Sequence, residues 1–316
     1  MSSQGRPPGA RAGLRIDAPT ERRNPHTVDL DLLPTADVLR VINAEDQRVA
    51  PAVERAVPEL TRAVDIAVRV LRAGGSVHYF GAGTSGRIAS MDAAELAPTF
   101  GLEPHRVVAH QAGGAGALET AVEDVEDDAG SGRADAGSLG PGDCAVCLTA
   151  SGRTPYAAGA LSRARDNGAA TVLVSANPRA EIAPLADVHV CVDTGPEVLA
   201  GSTRMKAGTA QKLVLNAFST AVMVRLGRTY SNLMTSVVAK NAKLNGRMVT
   251  ILAEASGRDI ETCTRVLAES EHDLRLALVQ LLADVDREQA GDALHRTGGV
   301  VRDALALLDG TGRDAD

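Results

Sequence analysis

Aromatic side chains are scarce in this chain of 316 residues, which contains three Phe, three Tyr and no Trp. A ligand is therefore expected to be held by hydrogen bonds and charge, not by stacking on aromatic rings. Four cysteines in so long a chain are too few for a disulfide framework, and this usage favours the cytoplasm. Long apolar runs are missing as well, since none reaches the ~18 residues of a membrane-spanning helix.

Positive charge is not in excess. The formal net charge is −7 and the Lys and Arg residues are scattered along the chain, which disfavours nucleic acid as a partner. Residues 1–19 are rich in Arg, Gly and Pro and contain no apolar stretch, so we expect a disordered tail there. Hydrophobic residues make up 44% of the chain, which is enough for a large core.

Strand-like and helix-like patterns alternate over most of the chain. The strand-like apolar runs occupy residues 77–80, 106–110, 144–149, 171–175 and 188–192. Such alternation is typical of an α/β fold, with three αβα layers around a parallel sheet. From about residue 241 only helical patterns continue. We therefore predict an α/β domain over residues 20–244 and a small helical C-terminal domain over residues 245–316.

Three helical segments carry expectations of their own. The helix after the first strand is expected to stop at Pro98. The acidic residues 116–128, GALETAVEDVEDD, are expected to form a helix, with a loop over residues 130–142. The apolar helical run Leu213–Leu226, together with the C-terminal helices, offers more apolar surface than one sheet needs to cover. This surplus predicts a homodimer.

A glycine-rich turn, GAGTSG over residues 81–86, follows the first strand. Its glycines let the backbone approach a ligand closely, and the start of the next helix favours an anion. The turn also fits the G-x-G-x-x-G dinucleotide fingerprint, which requires an acid at the end of the following strand. That strand ends in His110-Gln111-Ala112, so a dinucleotide is disfavoured and a phosphate group or a turn without a ligand remains.

Two further Ser/Thr/Gly loops also precede helices. One is ASGRTPY over residues 150–156, in which Pro155 fits the first turn of a helix, and the other is GSTRMKAGT over residues 201–209. Because the carboxyl ends of parallel strands meet at one edge of a sheet, the three loops should converge, which favours a phosphate-bearing ligand. Arg153 and Arg204 are either phosphate contacts or ordinary surface residues.

The pair Cys144-x-x-Cys147 has the spacing of a redox or zinc motif. It lies within a predicted strand, where side chains three residues apart point to opposite faces. No second pair of cysteines or histidines completes a metal site. We therefore expect both cysteines to lie in the core.

The loops and their flanks resemble a known family. Ser/Thr-rich loops after parallel strands are similar to the sugar isomerase (SIS) phosphosugar-binding domain, and the chain resembles more specifically the N-acetylmuramic acid 6-phosphate etherase family. The segments that carry the resemblance are TERRN at 20–24, GAGTSGRIASMDAAELAPTFG at 81–101, AGGAGALETAVEDVEDD at 112–128, ASGRTPY at 150–156, GPEVLAGSTRMKAGTAQKLVLN at 195–216 and NLMTSVVAKNAKL at 232–244. The resemblance covers nearly all of residues 20–310.

The resemblance implies removal of D-lactate from a phosphosugar in cell-wall amino sugar recycling. The steps would be elimination across C2–C3 of the ring-opened sugar and addition of water, with no metal or other cofactor. The family's acid/base glutamates match Glu95 and Glu126. The predicted substrate contacts are Thr84, Ser85, Gly86, Ser151, Gly152, Thr154, Glu197, Ser202, Thr203 and Lys206. Of these, Ser85, Ser151 and Thr154 are expected to hold the 6-phosphate, because they lie at helix N-termini after parallel strands.

The chain departs from the family at Leu96-Ala97, where Cys-Pro is usual, and at Asp124, where Gly is usual. Glu95 also stands nine residues beyond Gly86, or ~13 Å along a helix. This distance is too long for one substrate to touch both the loop and Glu95, and three explanations are open. Either the helix breaks early, or the phosphate lies mainly at residues 151–154, or Glu95 faces a site shared with a second subunit.

Two alternatives of the same fold remain. One is a phosphosugar isomerase in which Glu197 is the candidate base. The other is a non-catalytic phosphosugar sensor that resembles the glucokinase regulatory protein or a sugar-sensing transcription regulator. No basic helix-turn-helix pattern precedes the domain, which argues against the transcription regulator.

Overall fold

A computed structural model describes residues 18–236 and 242–310. Its central sheet is formed by β1 (Val77–Gly81), β2 (Val107–Gln111), β3 (Cys144–Thr149), β4 (Ala170–Ser175) and β5 (Val188–Cys191). The strands are all parallel and follow the order β2-β1-β3-β4-β5. Each lies within one residue of its predicted bounds. The parallel α/β sheet is therefore confirmed.

Helices cover both faces of the sheet. They are α1 (Thr35–Asp46), α2 (Val49–Arg55), α3 (Val57–Arg72), α4 (Gly83–Phe100), α5 (Gly116–Glu119), α6 (Ala129–Asp135), α7 (Pro155–Asp166) and α8 (Lys206–Arg225). Buried residues of α3, α4 and α8 pack on one face of the sheet, and those of α7 pack on the other. Cys144 belongs to the first of these cores and Cys147 to the second, as expected for a strand. Burial raises the pKa of the Cys144 thiol to about 12.

The apolar residues of α8 are largely used within the chain. Val214, Leu215 and Phe218 are buried in the core that α8 shares with α3 and α4. Val224 is its one large apolar side chain that is clearly exposed among the described residues. The apolar surface of residues 213–226 is therefore largely buried within the α/β domain, and this surface does not itself indicate a second subunit.

Two predictions about helices are wrong. Helix α4 continues past Pro98 to Phe100, because a proline in the last turn removes a single backbone hydrogen bond; Gly101, with a φ of 61°, then ends the helix. The acidic residues 116–128 form the short α5 and a 3-10 helix, Val125–Asp127, because so many like charges repel one another along a continuous helix. Beyond it, Asp128 accepts a hydrogen bond from the N–H of Ser131 and begins α6 in what was predicted as a loop.

The C-terminal residues form a helical unit with a hydrophobic core of its own. A short hairpin of β6 (Thr229–Tyr230) and β7 (Leu233–Met234) leads into it. Its helices are α9 (Ala242–Ser256), α10 (Ile260–Glu269), α11 (Leu274–Ala283), α12 (Arg287–Arg296) and α13 (Val301–Leu308). The predicted domain boundary at residue 244 thus falls just after the start of α9. Across the described residues, none of the helices has the length and apolar character to cross a membrane.

The N-terminal segment runs along the loop that precedes α8. Residues 1–17 of the predicted tail lie outside the described residues, whereas Ala18 is buried and Pro19 begins a 3-10 helix. The carbonyl of Thr20 accepts a hydrogen bond from the N–H of Gly201 (2.9 Å). The Thr27 hydroxyl donates to the carbonyl of Val198 (2.8 Å). These contacts bring Glu21 beside the carboxyl edge of the sheet.

Candidate active site

The sheet order places a crevice between β1 and β3. The chain runs from β1 outward to β2 and then returns to β3 on the other side of β1, so the loops after β1 and β3 diverge. Ligands of such sheets bind at this point, beyond the carboxyl ends of the strands. A cavity of about 560 Å³ lies there. Its lining includes the predicted contacts Thr84, Ser85, Ser151, Thr154 and Thr203.

Two helices begin at the cavity with free N-terminal N–H groups. Helix α4 starts after Ala82 and α7 after Thr154, and neither start receives a side-chain cap from the residues that the structure describes. The N–H groups of a first helical turn need acceptors, and the helix dipole favours an acceptor that carries negative charge. Both helix starts therefore suit a phosphate group.

A hydroxyl cluster shapes the loop between β3 and α7. The Thr149 hydroxyl is hydrogen-bonded to Thr154 Oγ1 (2.7 Å) and Ser151 Oγ (3.4 Å), and it accepts from the N–H of Gly152 (3.3 Å). Asn177 Nδ2 donates to the carbonyl of Ser151 (2.8 Å). Sequence reasoning missed both residues as part of the site, although Thr149 ends one predicted strand and Asn177 lies two residues beyond the end of another.

The start of α8 is built differently. Both carboxylate oxygens of the fully buried Glu197 accept hydrogen bonds, from the N–H groups of Lys206 and Ala207 (2.9 Å each). The Lys206 ammonium is also buried and donates to Glu45 Oε2 (2.6 Å). Glu197 and Lys206 are therefore buried at the start of α8 and do not belong to the described lining of the cavity. Their role as substrate contacts stays a prediction.

The pKa values of the two buried carboxylates, Glu197 and Glu45, are shifted in opposite directions. Burial raises the pKa of Glu197, against the effect of the two backbone N–H groups that it accepts from. Burial is the largest single influence on Glu45 and would raise its pKa too. The hydrogen bond and the charge of Lys206, together with hydrogen bonds from Asn24 and His26, outweigh burial and leave the pKa of Glu45 below its ordinary value. The Glu45–Lys206 pair is thus a charged pair that joins α1 to α8.

Three more predicted contacts lie outside the lining. A Cβ at Gly86 would stand 1.9 Å from Gln111 Oε1, so this glycine allows α4 to pack against the sheet. Gly152 has a φ of +71°, and a Cβ there would stand 2.3 Å from Cβ of Ala180. Ser202 is half-buried in the loop before α8. Gly86 and Gly152 therefore shape the site without offering side chains to it.

Carboxylates line the rest of the cavity. Glu126 and Asp127 come from a 3-10 helix, Val125–Asp127, and Glu21 from the N-terminal segment. Glu181 also lines the cavity and forms an ion pair with Arg153 (2.9 Å). Sequence reasoning missed Glu21, although it lies within the segment TERRN that carries the resemblance. Among the described lining residues Arg153 is the one cation, so the helix starts and hydroxyls have to supply most of the attraction for an anion.

Glu95 lies apart from this cavity. It is exposed on α4, ten residues beyond Ser85, which is about 15 Å along the helix axis. One turn earlier on α4, the buried Asp92 accepts hydrogen bonds from Tyr79 (3.1 Å) and Ser219 (3.0 Å), which fixes the rotation of the helix. Helix α4 does not break early, and Glu95 is absent from the described lining of the cavity to which Glu126 belongs.

Two family models match the chain: the glucokinase regulatory protein N-terminal SIS domain over residues 59–165 and the SIS domain over residues 118–221. An N-acetylmuramic acid 6-phosphate etherase of Thermobifida fusca (strain YX) is 65% identical over 267 residues, covering 84% of this chain and 88% of the relative. Another, of Pectobacterium atrosepticum, is 47% identical over 288 residues, covering 90% and 95%. The chain belongs to the N-acetylmuramic acid 6-phosphate etherase family.

One departure from the etherase family now has a structural context. Asp124, where the family usually has Gly, has a φ of 63° in the left-handed region. Glycine enters this region without strain, and Asp is one of the few other residues that tolerate it. The turn at Asp124 leads directly into the 3-10 helix that carries Glu126, so this backbone conformation places the glutamate at the cavity.

Proposed function

We infer that this chain is a carbon–oxygen lyase that cleaves the D-lactyl ether of N-acetylmuramic acid 6-phosphate. The products are N-acetylglucosamine 6-phosphate and D-lactate, as in the recycling of cell-wall amino sugars. The observation that carries this conclusion is the 65% identity to a curated etherase over 84% of the chain. A cavity with two uncapped helix starts, among the residues described, fits the phosphate of this substrate.

The starts of α4 and α7 would hold the 6-phosphate. Ser85, Ser151 and Thr154 add hydroxyl groups at the same edge, and Thr84 and Thr203 line the cavity beside them. Hydroxyl and backbone N–H donors remain in place as the sugar ring opens and closes. The phosphate would therefore serve as the fixed end of the substrate while C2 and C3 react.

The reaction needs groups that move protons at the other end of the substrate. The proton on C2, next to the C1 aldehyde, has to leave, the ether oxygen on C3 has to be protonated, and water has to be activated for the addition. We assign these transfers to Glu126 and Glu95. Exposure of both carboxylates leaves them free to meet a ligand.

Glu95 could reach a substrate through a second copy of the chain. Arg87, Met91 and Glu95 follow one another at intervals of four residues and share one side of α4. Arg87 donates to the carbonyl of Leu118 (3.0 Å), which places α5 beside this side. Met91, Leu118 and Val122 are 43%, 39% and 45% exposed. We propose that this apolar patch is the interface of a homodimer in which Glu95 of each subunit completes the cavity of the other.

Subunit mixing tests this arrangement. Glu95→Gln and Glu126→Gln should each be inactive alone. If they are refolded together, mixed dimers contain one intact site, and random pairing should restore about a quarter of wild-type activity. Refolding either variant with itself is the control. No recovery in a preparation shown to contain mixed dimers would place both glutamates in one chain's site.

The direct assay of the function is release of D-lactate from N-acetylmuramic acid 6-phosphate. In D₂O the product should carry deuterium at C2, and in ¹⁸O-water it should carry ¹⁸O at C3. Label found only in lactate would contradict elimination. Tight binding without lactate would favour a sensor. Glu197, the candidate base of the isomerase alternative, is fully buried and accepts the N–H groups of Lys206 and Ala207, which disfavours that alternative.

We propose that the enzyme acts in the cytoplasm. Its four cysteines are free, and three of them are buried. Free buried thiols are typical of proteins kept in a reducing compartment. Cell fractionation with an antibody against the chain tests this location.

A further inference from the structure

The substrate of the proposed reaction carries two anionic groups. Its phosphate is attached at C6, and its lactyl carboxylate is attached through the ether oxygen at C3. The starts of α4 and α7, with the hydroxyls of Ser85, Ser151 and Thr154, account for the phosphate. The lactyl carboxylate needs a partner of its own, because a carboxylate taken out of water without one is costly. A second anion contact is therefore expected in the same cavity.

The charges of the lining restrict where a second anion can bind. Glu21, Glu126, Asp127 and Glu181 all line the cavity, and Arg153 is the one cation among the described lining residues. Carboxylates in one site repel one another, whereas a neighbouring guanidinium group stabilises the charged form. The lactyl carboxylate is therefore expected beside Arg153.

Arg153 has hydrogen-bonding capacity left for a ligand. Its Nη2 atom lies 2.9 Å from Glu181 Oε1, and the two side chains are 22% and 63% exposed. An ion pair this open to water contributes little to stability. A guanidinium group offers five N–H donors, and two of them can bind a carboxylate in parallel. Glu181 therefore orients Arg153 and leaves room for a second carboxylate.

The position of Glu181 draws the guanidinium group away from the expected phosphate. Glu181 follows β4, which lies on the side of β3 opposite to β1. The N–H of the next residue, Ile182, donates to the carbonyl of Gly152 (3.2 Å), which ties this segment to the loop before α7. The starts of α4 and α7 follow β1 and β3, so the phosphate is expected on the other side of α7's first turn. The two anion contacts are thus neighbours but distinct.

Building on the proposed function, we propose that Arg153 is a specificity-determining residue that binds the carboxylate of the D-lactyl group. Two N–H groups of Arg153 donate to the two carboxylate oxygens, while Glu181 holds the guanidinium group from another side. The product N-acetylglucosamine 6-phosphate lacks the lactyl group and makes no such contact. Arg153 therefore lets the cavity distinguish substrate from product.

Calorimetric titration of the full chain with two ligands that differ in the lactyl group tests this role. N-acetylmuramic acid 6-phosphate and N-acetylglucosamine 6-phosphate are titrated into Glu126→Gln protein, in which the substrate should stay intact. Adding Arg153→Gln should raise Kd for the first ligand about tenfold or more and leave Kd for the second within about twofold. Ser151→Ala in the same background is the matched control. It should raise both Kd values by a similar factor, because both ligands carry the phosphate.

An assay of D-lactate after each titration checks that the ligand is intact. If lactate appears, KM for the substrate and the competitive Ki of N-acetylglucosamine 6-phosphate replace the two Kd values. A parallel rise for both ligands would show that Arg153 binds the phosphate, and no change for either would show that it is no contact. Both results would overturn the proposal.

Arg153→Lys is a second variant that keeps the positive charge but not the planar fork. It should bind N-acetylmuramic acid 6-phosphate more weakly than arginine and more tightly than glutamine, with the affinity for N-acetylglucosamine 6-phosphate again unchanged. Lysine that binds the substrate no better than glutamine does would overturn recognition by charge. Failure of the proposed function would appear separately, as wild-type protein that binds both ligands but releases no D-lactate.

Discussion

The start of α8 and the starts of α4 and α7 look alike in the sequence but differ in the structure. All three follow loops rich in Ser, Thr and Gly. At α8 the carboxylate of Glu197 accepts the first two N–H groups of the helix. At α4 and α7 no side chain among the described residues does so. A helix start is a ligand site only where the chain has not filled it with its own anion.

The largest expected effect is on stability, at the start of α8, whose first N–H groups are already bound by Glu197. Glu45→Leu removes the partner of the buried Lys206 ammonium and leaves its charge uncompensated. Loss of one partner of a buried ion pair costs about 3–5 kcal/mol, so the free energy of unfolding in urea should fall by about that amount. The double variant Glu45→Leu/Lys206→Met is the control, since it removes both charges of the buried pair and should recover most of the loss. A single variant as stable as wild type would contradict a structural role for this pair.

The next effect contrasts two glutamates, one at the open cavity and one at the filled helix start. Glu126→Gln keeps the shape of the side chain but removes its ability to exchange a proton. We expect kcat for lactate release to fall about 10²-fold or more, with a smaller change in KM and an unchanged Tm. Glu197→Gln is the matched variant. It should lower the Tm and leave kcat within a few-fold of wild type, because Glu197 serves the start of α8.

The comparison would fail if the effects of Glu126→Gln and Glu197→Gln were exchanged. If Glu197→Gln lost activity at normal Tm while Glu126→Gln kept it, the carboxylate beneath α8 would be the reactive one. The loop over residues 201–205 would then have to open to admit the substrate.

The positions of the helix starts at α4 and α7 can be predicted from the sequence, because they depend on the order of strands and helices along the chain. Short buried strands alternate with helices, and the carboxyl ends of parallel strands necessarily share one edge. Ser85 and Ser151 therefore lie at one cavity even though the chain separates them widely. The filled start could not be predicted in this way. Lys206 and Glu45 are 161 residues apart, and nothing in the spacing indicates that a buried ion pair joins them.

A smaller effect separates a hydroxyl at the cavity from one outside it. Ser151→Ala removes a hydroxyl at the start of α7, where the phosphate is expected to bind. A hydrogen bond to a charged group contributes about 1.5 kcal/mol or more, so KM should rise about tenfold at nearly constant kcat. Ser202→Ala is the matched control, because Ser202 lies outside the lining. Equal KM values for the two variants would move the phosphate away from α7.

The acidic segment shows where sequence patterns fail. Residues 116–128 carry helical periodicity, but the repulsion among their carboxylates and the left-handed turn at Asp124 interrupt the helix. Periodicity reports which side chains share a face and is blind to a single residue with positive φ. The interruption is functional in our proposal, since a continuous helix would carry Glu126 along its axis and away from the loop after β1.

The smallest expected effect tests that turn. Asp124→Gly relieves the strain of a side chain at a φ of 63° but makes the unfolded chain more flexible, so the two terms partly cancel. We expect a net gain of about 0.5 kcal/mol and a rise in Tm of about 1–2 °C, with kcat unchanged. Asp124→Ala is the control: alanine lacks the local hydrogen bonding that helps Asp in this conformation, so the Tm should fall. If Asp124→Gly were less stable than Asp124→Ala, the turn would depend on the carboxylate, and the preference of the etherase family for glycine here would need another cause than backbone strain.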